Sequence, residues 1–144
     1  MPAVQAILDK KGSHVVSLVA GESVVNAARL MNERGIGGVV VTEDGEMVGI
    51  FTERDVLRRV VAEGRDPVTT TVGDVMTSPV VTCRADTKLE ECSAVMTNKR
   101  IRHLPVVDDS GVTGILTIGD LLAFRVQDQE ATIEHLNNYI FDLR

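Results

Sequence analysis

Gly49-Ile50-Phe51-Thr52-Glu53-Arg54-Asp55-Val56-Leu57 recurs, 65 residues later, as Gly114-Ile115-Leu116-Thr117-Ile118-Gly119-Asp120-Leu121-Leu122. In each copy a short apolar run ends in Thr-x-x-Asp. At that spacing a hydroxyl and a carboxylate cap the first turn of a helix. Each copy therefore reads as a strand that stops where a helix begins. The same offset carries the match outward without gaps. Val15-Val16 falls on Val80-Val81, Met31 on Met96, Ile36 on Ile101, Val41 on Val106 and Asp44 on Asp109. One supersecondary unit is present twice.

Upstream of each junction, Val24, Ala27, Ala28 and Met31 stand at i, i+3, i+4, i+7. Leu89, Cys92, Ser93 and Met96 keep that spacing, with Ser93 the polar exception. The pattern is one apolar helix face, written twice. Ser23 is placed to cap the first helix, and Thr87 with Glu90 spells a capping box for the second. Two hairpins follow. One joins Gly38–Thr42 to Met47–Phe51 through residues 43–46; the other joins Leu104–Val107 to Val112–Leu116 through residues 108–111. Asp and Gly at the turns between β-branched runs are the expected chemistry. A second helix follows each hairpin, from Asp55 to Glu63 and from Asp120 onward, and extended segments (Val15–Leu18 and Val80–Cys83) precede each unit. The order is strand, helix, strand, strand, helix, twice over, an α+β fold of α/β-type repeats.

Flanking the pair, Val4, Ile7 and Leu8 predict a short N-terminal helix. Ile133, Leu136 and Ile140 predict a C-terminal helix with one apolar stripe, expected to pack on its own domain or on a dimer mate. Between the units a polar linker from Gly64 to Thr71 leads into a short apolar helix, Val72–Met76. The natural division places residues 1–66, N-terminal helix included, with the first unit and residues 67–144 with the second.

Composition narrows the function classes. Of 144 residues, 44% are hydrophobic but only 3% aromatic, so the core is aliphatic and base-stacking platforms are scarce. A net charge of −6 opposes a nucleic-acid backbone, although Arg54, Arg58, Arg59 and Arg65 form one basic cluster and Lys99, Arg100, Arg102 and His103 another. Cys83 and Cys92 have no metal-ligand spacing and read as reduced, buried thiols. No apolar stretch reaches membrane-spanning length, and residues 1–12 lack the apolar run of a secretory signal. A soluble cytoplasmic protein is expected. The three histidines are scattered, no nucleophile elbow or P-loop occurs, and Gly35-Ile36-Gly37-Gly38 has Val40 where a dinucleotide fingerprint needs its third Gly. An enzyme is not expected, nor is a required cofactor or metal.

Thr-x-x-Asp alone would be a cap. Its duplication at helix N-termini, which attract anions, gives it a second reading. Phosphate would sit near Thr52 or Thr117, and the vicinal ribose hydroxyls on Asp55 or Asp120, as acidic residues bind ribose in dinucleotide folds. Gly49 and Gly114 would let a ligand approach the strand backbone. Arg102-His103-Leu104-Pro105-Val106 adds a planar guanidinium for phosphate and an imidazole that donates more strongly when protonated. The first repeat has Gly37-Gly38 at that point, so the two sites should differ.

The doubled Gly-x-x-Thr-x-x-Asp, the Arg-His-Leu-Pro-Val segment and Asp74-Val75-Met76-Thr77 together resemble the CBS domain pair, or Bateman module, over about residues 13–126. The resemblance implies two CBS units packed by their strands about a pseudo-twofold axis with two clefts between them. It implies that AMP, ADP, ATP, NAD(H) or S-adenosylmethionine binds there, and that modules pair into disc-shaped homodimers. By position, Asp55 and Asp120 are similar to the family's ribose-binding acids and Thr52 and Thr117 to the hydroxyls beside them. Arg102, His103 and Arg54 resemble phosphate contacts, and backbone at Ile36-Gly37-Gly38 and Ile101-Arg102 resembles adenine-reading segments. The expected role is regulatory, reporting energy or redox state to an unknown partner protein. The rival expectation is a docking or dimerisation module that binds no nucleotide.

Overall fold

The computed structural model describes residues 2–142, with side chains described as far as residue 136. A helix, α1 (Val4–Lys11), precedes the first unit: β1 (Ser17–Val19), α2 (Val24–Arg34), β2 (Gly38–Glu43), β3 (Glu46–Thr52) and α3 (Glu53–Asp55), which continues as a π-helix (Val56–Val61). A connecting turn of helix, α4 (Val72–Val75), leads to α5 (Leu89–Lys99), β4 (His103–Asp108), β5 (Gly111–Thr117) and α6 (Ile118–Asp142). β1 pairs parallel to β2, and β2 antiparallel to β3. β4 pairs antiparallel to β5 in the matching register, with Val40 opposite Ile50 and Pro105 opposite Ile115. Even the irregularity is repeated, between Val41 and Thr42 and between Val106 and Val107.

Each sheet buries both faces. On the helix side, Val24, Ala27, Met31, Val39, Val41 and Phe51 form the first core. Their counterparts Leu89, Cys92, Met96, Leu104, Val106 and Leu116 form the second. Cys92 thus fills the place of Ala27, and Cys83 lies beside it in the same core. The other face of each sheet presents the alternate residues, among them Val40, Ile50 and Ile115, all buried where β3 meets β5. Strand alternation makes this second face unavoidable.

Several expectations need correction. Val80–Cys83 does not form a strand. Only Cys83 bridges Val106, because the chain beyond it turns to α1, whose Val4 and Gln5 amides bond the Thr87 and Ala85 carbonyls. The same contact dissolves the Thr87–Glu90 capping box. The N-cap is Lys88, Thr87 Oγ1 accepts from the Arg84 amide, and the Leu89 amide donates to the Pro2 carbonyl. By contrast Ser23 caps α2 as its type predicts, accepting from the Asn26 amide at 3.2 Å. The C-terminal helix is not separate. With no Gly or Pro between Asp120 and Asp142, it is the continuation of α6; Ile133 and Leu136 lie on it, and the Ile140 side chain falls outside the described residues. The flanking helices pack across the division at residue 66. Val4, Ile7 and Leu8 of α1 are buried in the second core, whereas Val72 and Val75 of α4 belong to the first.

The flanking segments explain two glycines. A Cβ on Gly114 would stand 2.9 Å from Leu8 Cδ2, and one on Gly49 would collide with Met76 Sδ and stand 3.1 Å from the Thr77 carbonyl oxygen. Both glycines admit a protein segment across the strand, not a ligand.

The two units meet at equivalent positions, and there the symmetry fails. Position 38 carries Gly and its counterpart 103 carries His. A Cβ on Gly38 would lie 3.1 Å from the His103 ring and 3.2 Å from Thr52 Cγ2. The imidazole fills space that the first repeat leaves empty. Burial pushes the His103 pKa below its ordinary value of 6.5, against the opposing pull of Glu53. This site favours the neutral ring.

Two outcomes follow from this packing. Leu8→Ala should cost about 2–5 kcal/mol of stability, read by chemical denaturation; a loss near zero would detach α1 from the second core. A His whose folded pKa is depressed contributes stability that is complete above its unfolded value and is lost as pH falls through the folded pKa. Denaturation midpoints should therefore decline as pH drops below about 6.5, and His103→Gln should flatten that part of the profile. Parallel profiles for the two proteins would sink the assignment.

Candidate functional site

The units enclose two clefts, each built crosswise. The first, of about 270 Å³, joins Ile50, Thr52, Glu53, Arg54, Asp55, Arg58 and Arg59 of the first unit to residues 99–103 of the second, with Thr77 between them. The second, of about 460 Å³, joins Ile115, Thr117, Ile118 and Asp120 to residues 35–38 of the first unit, with Lys11 and His14 also in its lining. Arg102, His103 and Glu53 line both. Every side chain or backbone segment expected to contact a nucleotide lines a cleft. Thr52, Arg54, Asp55 and Ile101 line the first, Ile36, Gly37, Gly38, Thr117 and Asp120 the second, and Arg102 and His103 both.

The Thr-x-x-Asp junctions are real caps. The Thr52 amide donates to Asp55 Oδ2 and the Thr117 amide to Asp120 Oδ2, each at 2.9 Å, and the Asp120 amide donates back to Thr117 Oγ1 at 3.1 Å. Capping leaves each carboxylate with unused lone pairs, and the units spend them differently. Asp55 is buried; its Oδ1 accepts from Thr77 Oγ1 at 3.0 Å, with Arg59 Nε at 3.7 Å. Asp120 is more open and meets Lys11 Nζ at 2.7 Å; that ammonium also donates to the Ile115 carbonyl at 2.8 Å. The Thr77 amide donates to the equivalent Ile50 carbonyl. Lys11 therefore does for the second strand end, through a side chain, what Thr77 does for the first through its backbone and hydroxyl.

Charge separates the clefts further. Six cationic residues face the first (Arg54, Arg58, Arg59, Lys99, Arg100 and Arg102) against two carboxylates, Glu53 and Asp55. Two are held by carbonyls: Arg54 Nη1 donates to the Arg100 oxygen at 2.7 Å and Arg59 Nη1 to that of Met76 at 2.6 Å. Among the described residues, Arg58, Lys99, Arg100 and Arg102 form no salt bridge. In the second cleft Lys11 and Arg102 stand against Glu53 and Asp120, a balanced set. Such a cationic, concave wall is suited to a phosphorylated ligand.

Arg100 has φ 55° where the first repeat has Gly35 at φ 63°. A left-handed helix terminus usually takes Gly, and here it carries a guanidinium at the cleft wall instead. Sequence reading found both basic clusters but not that they converge; only Arg65 stands apart from the first cleft. It missed Thr77 and Lys11 as carboxylate partners. Thr77 belongs to a motif singled out beforehand, whereas nothing in the spacing of Lys11 pointed to Asp120, 109 residues on. Among the described residues no three His, Cys, Asp or Glu side chains cluster as metal ligands, and no helix is long and apolar enough to cross a membrane.

Comparison with known proteins agrees with this architecture. The CBS domain family model matches residues 7–62 and 72–126. The chain is 37% identical over 124 residues to the mitochondrial CBS domain-containing protein CBSX3 of Arabidopsis thaliana, covering 83% of this chain and 60% of that one. It is 31% identical over 128 residues to CBS domain-containing protein YhcV of Bacillus subtilis, covering 89% and 91%. The CBS-domain containing protein ATU1752 of Agrobacterium tumefaciens superposes with a TM-score of 0.82 at 37% identity, over 86% of this chain and 99% of that one. With two family matches that meet at the observed pseudo-symmetric clefts, this chain belongs to the CBS-domain family of regulatory modules and holds a tandem pair of its domains.

Proposed function

We propose that the chain binds an adenosine nucleotide in the first cleft and passes its occupancy to a separate protein. The observation that carries this reading is the convergence of two basic clusters, remote in sequence, on one concave wall beside a capped carboxylate. Phosphates would lie among Arg58, Lys99, Arg100 and Arg102. Ribose hydroxyls would reach Asp55 once the Thr77 hydroxyl and the long Arg59 contact give way, with Thr52 beside them, and adenine would lie along the Ile101 backbone. AMP, ADP, ATP and NAD(H) all present these groups. A ligand touching both units favours whichever arrangement it binds better, and only to the extent of that difference. Such a role is regulatory, not catalytic, and requires no cofactor. It suits a reducing compartment such as the cytoplasm, where the buried thiols of Cys83 and Cys92 stay free.

The second cleft supports a weaker site. Its Asp120 already holds Lys11, so ribose must displace an ammonium before it binds. The rival reading, docking without nucleotide, is favoured by no comparable feature, since it leaves the unpaired cations of the first cleft unused.

Thermal unfolding against AMP, ADP, ATP, NAD, NADH, S-adenosylmethionine, adenosine and GMP tests the reading. A ligand at about 100 times its dissociation constant should add about 2.7 kcal/mol, or roughly 5–10 degrees. No shift with any of them would leave the docking reading. Arg102→Ala should weaken the nucleotides by about tenfold, the worth of one charge-assisted bond, while sparing adenosine; an equal loss for both would take Arg102 off the phosphate. Lys11→Ala should strengthen the second site, seen by titration calorimetry as a second binding event. A weaker second event would instead make Lys11 a ligand contact.

A further inference from the structure

The helix that follows the first hairpin ends at Val61, whereas α6 runs 25 residues, to Asp142. At the helical rise this is about 37 Å, far longer than the second core needs. Leu121 enters that core, and Ile118 and Phe124 pack partly against it. A different row of α6 has no such use. Leu122, Val126, Ile133 and Leu136 are each 50–58% exposed. Four of the eight most exposed large hydrophobics of the described residues therefore stand on one helix.

Their spacing is that of a heptad seam. With Val126 and Ile133 at a, the d positions are Leu122, Gln129 and Leu136, and in the sequence the next a position is Ile140. β-branched residues at a with Leu at d are the combination that favours two parallel strands; Gln129 is the one polar residue among the a and d positions from Leu122 to Leu136. The flanking charges agree on orientation. Arg125 is at g and Glu130 at the following e, and only in a parallel, in-register pair does each g meet the partner's e of opposite charge. The chain's own mirror of this surface, Leu57 and Val61, is equally exposed but stops after one turn. The seam beyond Val126 therefore cannot be part of a contact that treats the two units alike.

We propose that α6 pairs with α6 of a second copy of this chain as a parallel, in-register two-stranded coiled coil, with Val126, Ile133 and Leu136 in the seam.

Crosslinking of the full chain tests it. A parallel register sets Leu136 against its own counterpart, whereas an antiparallel pair would set it against the other end of the helix. Leu136→Cys should therefore form a disulfide-linked dimer under mild oxidation, the native Cys83 and Cys92 being buried. Ile133→Asp added to that variant should suppress the link, and light scattering on the unmodified chain should give at least a dimer. Because both positions are exposed, the single domain pair should still unfold cooperatively in each variant. An uncrosslinked Leu136→Cys protein, a crosslink indifferent to Ile133→Asp, or a monomeric unmodified chain at every concentration each overturns the proposal.

Discussion

A short β-hairpin has two faces, and in this protein both are apolar. Helices cover one. The other, bearing Val40, Ile50 and Ile115, is buried only because a second copy of the same unit lies across it. Everything else depends on that contact. It forces the units into a face-to-face pair, places the end of one strand beside the start of the other unit's hairpin, and so creates two clefts from one repeated junction. The capped carboxylates then need no special explanation for where they sit. They are at the helix starts because Thr-x-x-Asp holds the turn, and at the clefts because the helix starts are where the units part.

Near-symmetry about such a contact cannot be complete. At the point where the equivalent positions 38 and 103 come together there is room for one ring. His103 occupies it and Gly38 yields it. The consequence spreads outward. Arg102 accompanies His103 and looks into both clefts, Arg100 replaces a glycine, and the first cleft gathers cations while the second is neutralised by Lys11. The difference in charge between the clefts thus descends from a packing problem.

The fold was legible because its signals are local and repeated. The 65-residue offset, the helix-face spacing of Val24 to Met31 and the Asp-Gly turns each act over a few residues. What escaped was long-range. The Val80–Cys83 strand and the Thr87–Glu90 box were locally sound, and both lost to α1, which takes the Ala85 and Thr87 carbonyls from 80 residues away. Gly49 and Gly114 announced a close approach, yet the sequence could not say that Met76 and Leu8 make it. At the site, residue types and spacing picked out residues that line the clefts, but not Lys11 or Thr77 as partners of the carboxylates. The imbalance of charge between the clefts was beyond them, because it arises from segments that only folding brings together.

The crosswise lining of each cleft also bears on how such a molecule can change over generations. A lone unit paired with its own twin would enclose two identical clefts, and any substitution would alter both at once. Joined in one chain, the halves gain independent histories. Gly37-Gly38 and Arg102-His103 differ in just this way: one chain holds two unequal clefts, and each still borrows a wall from the other half.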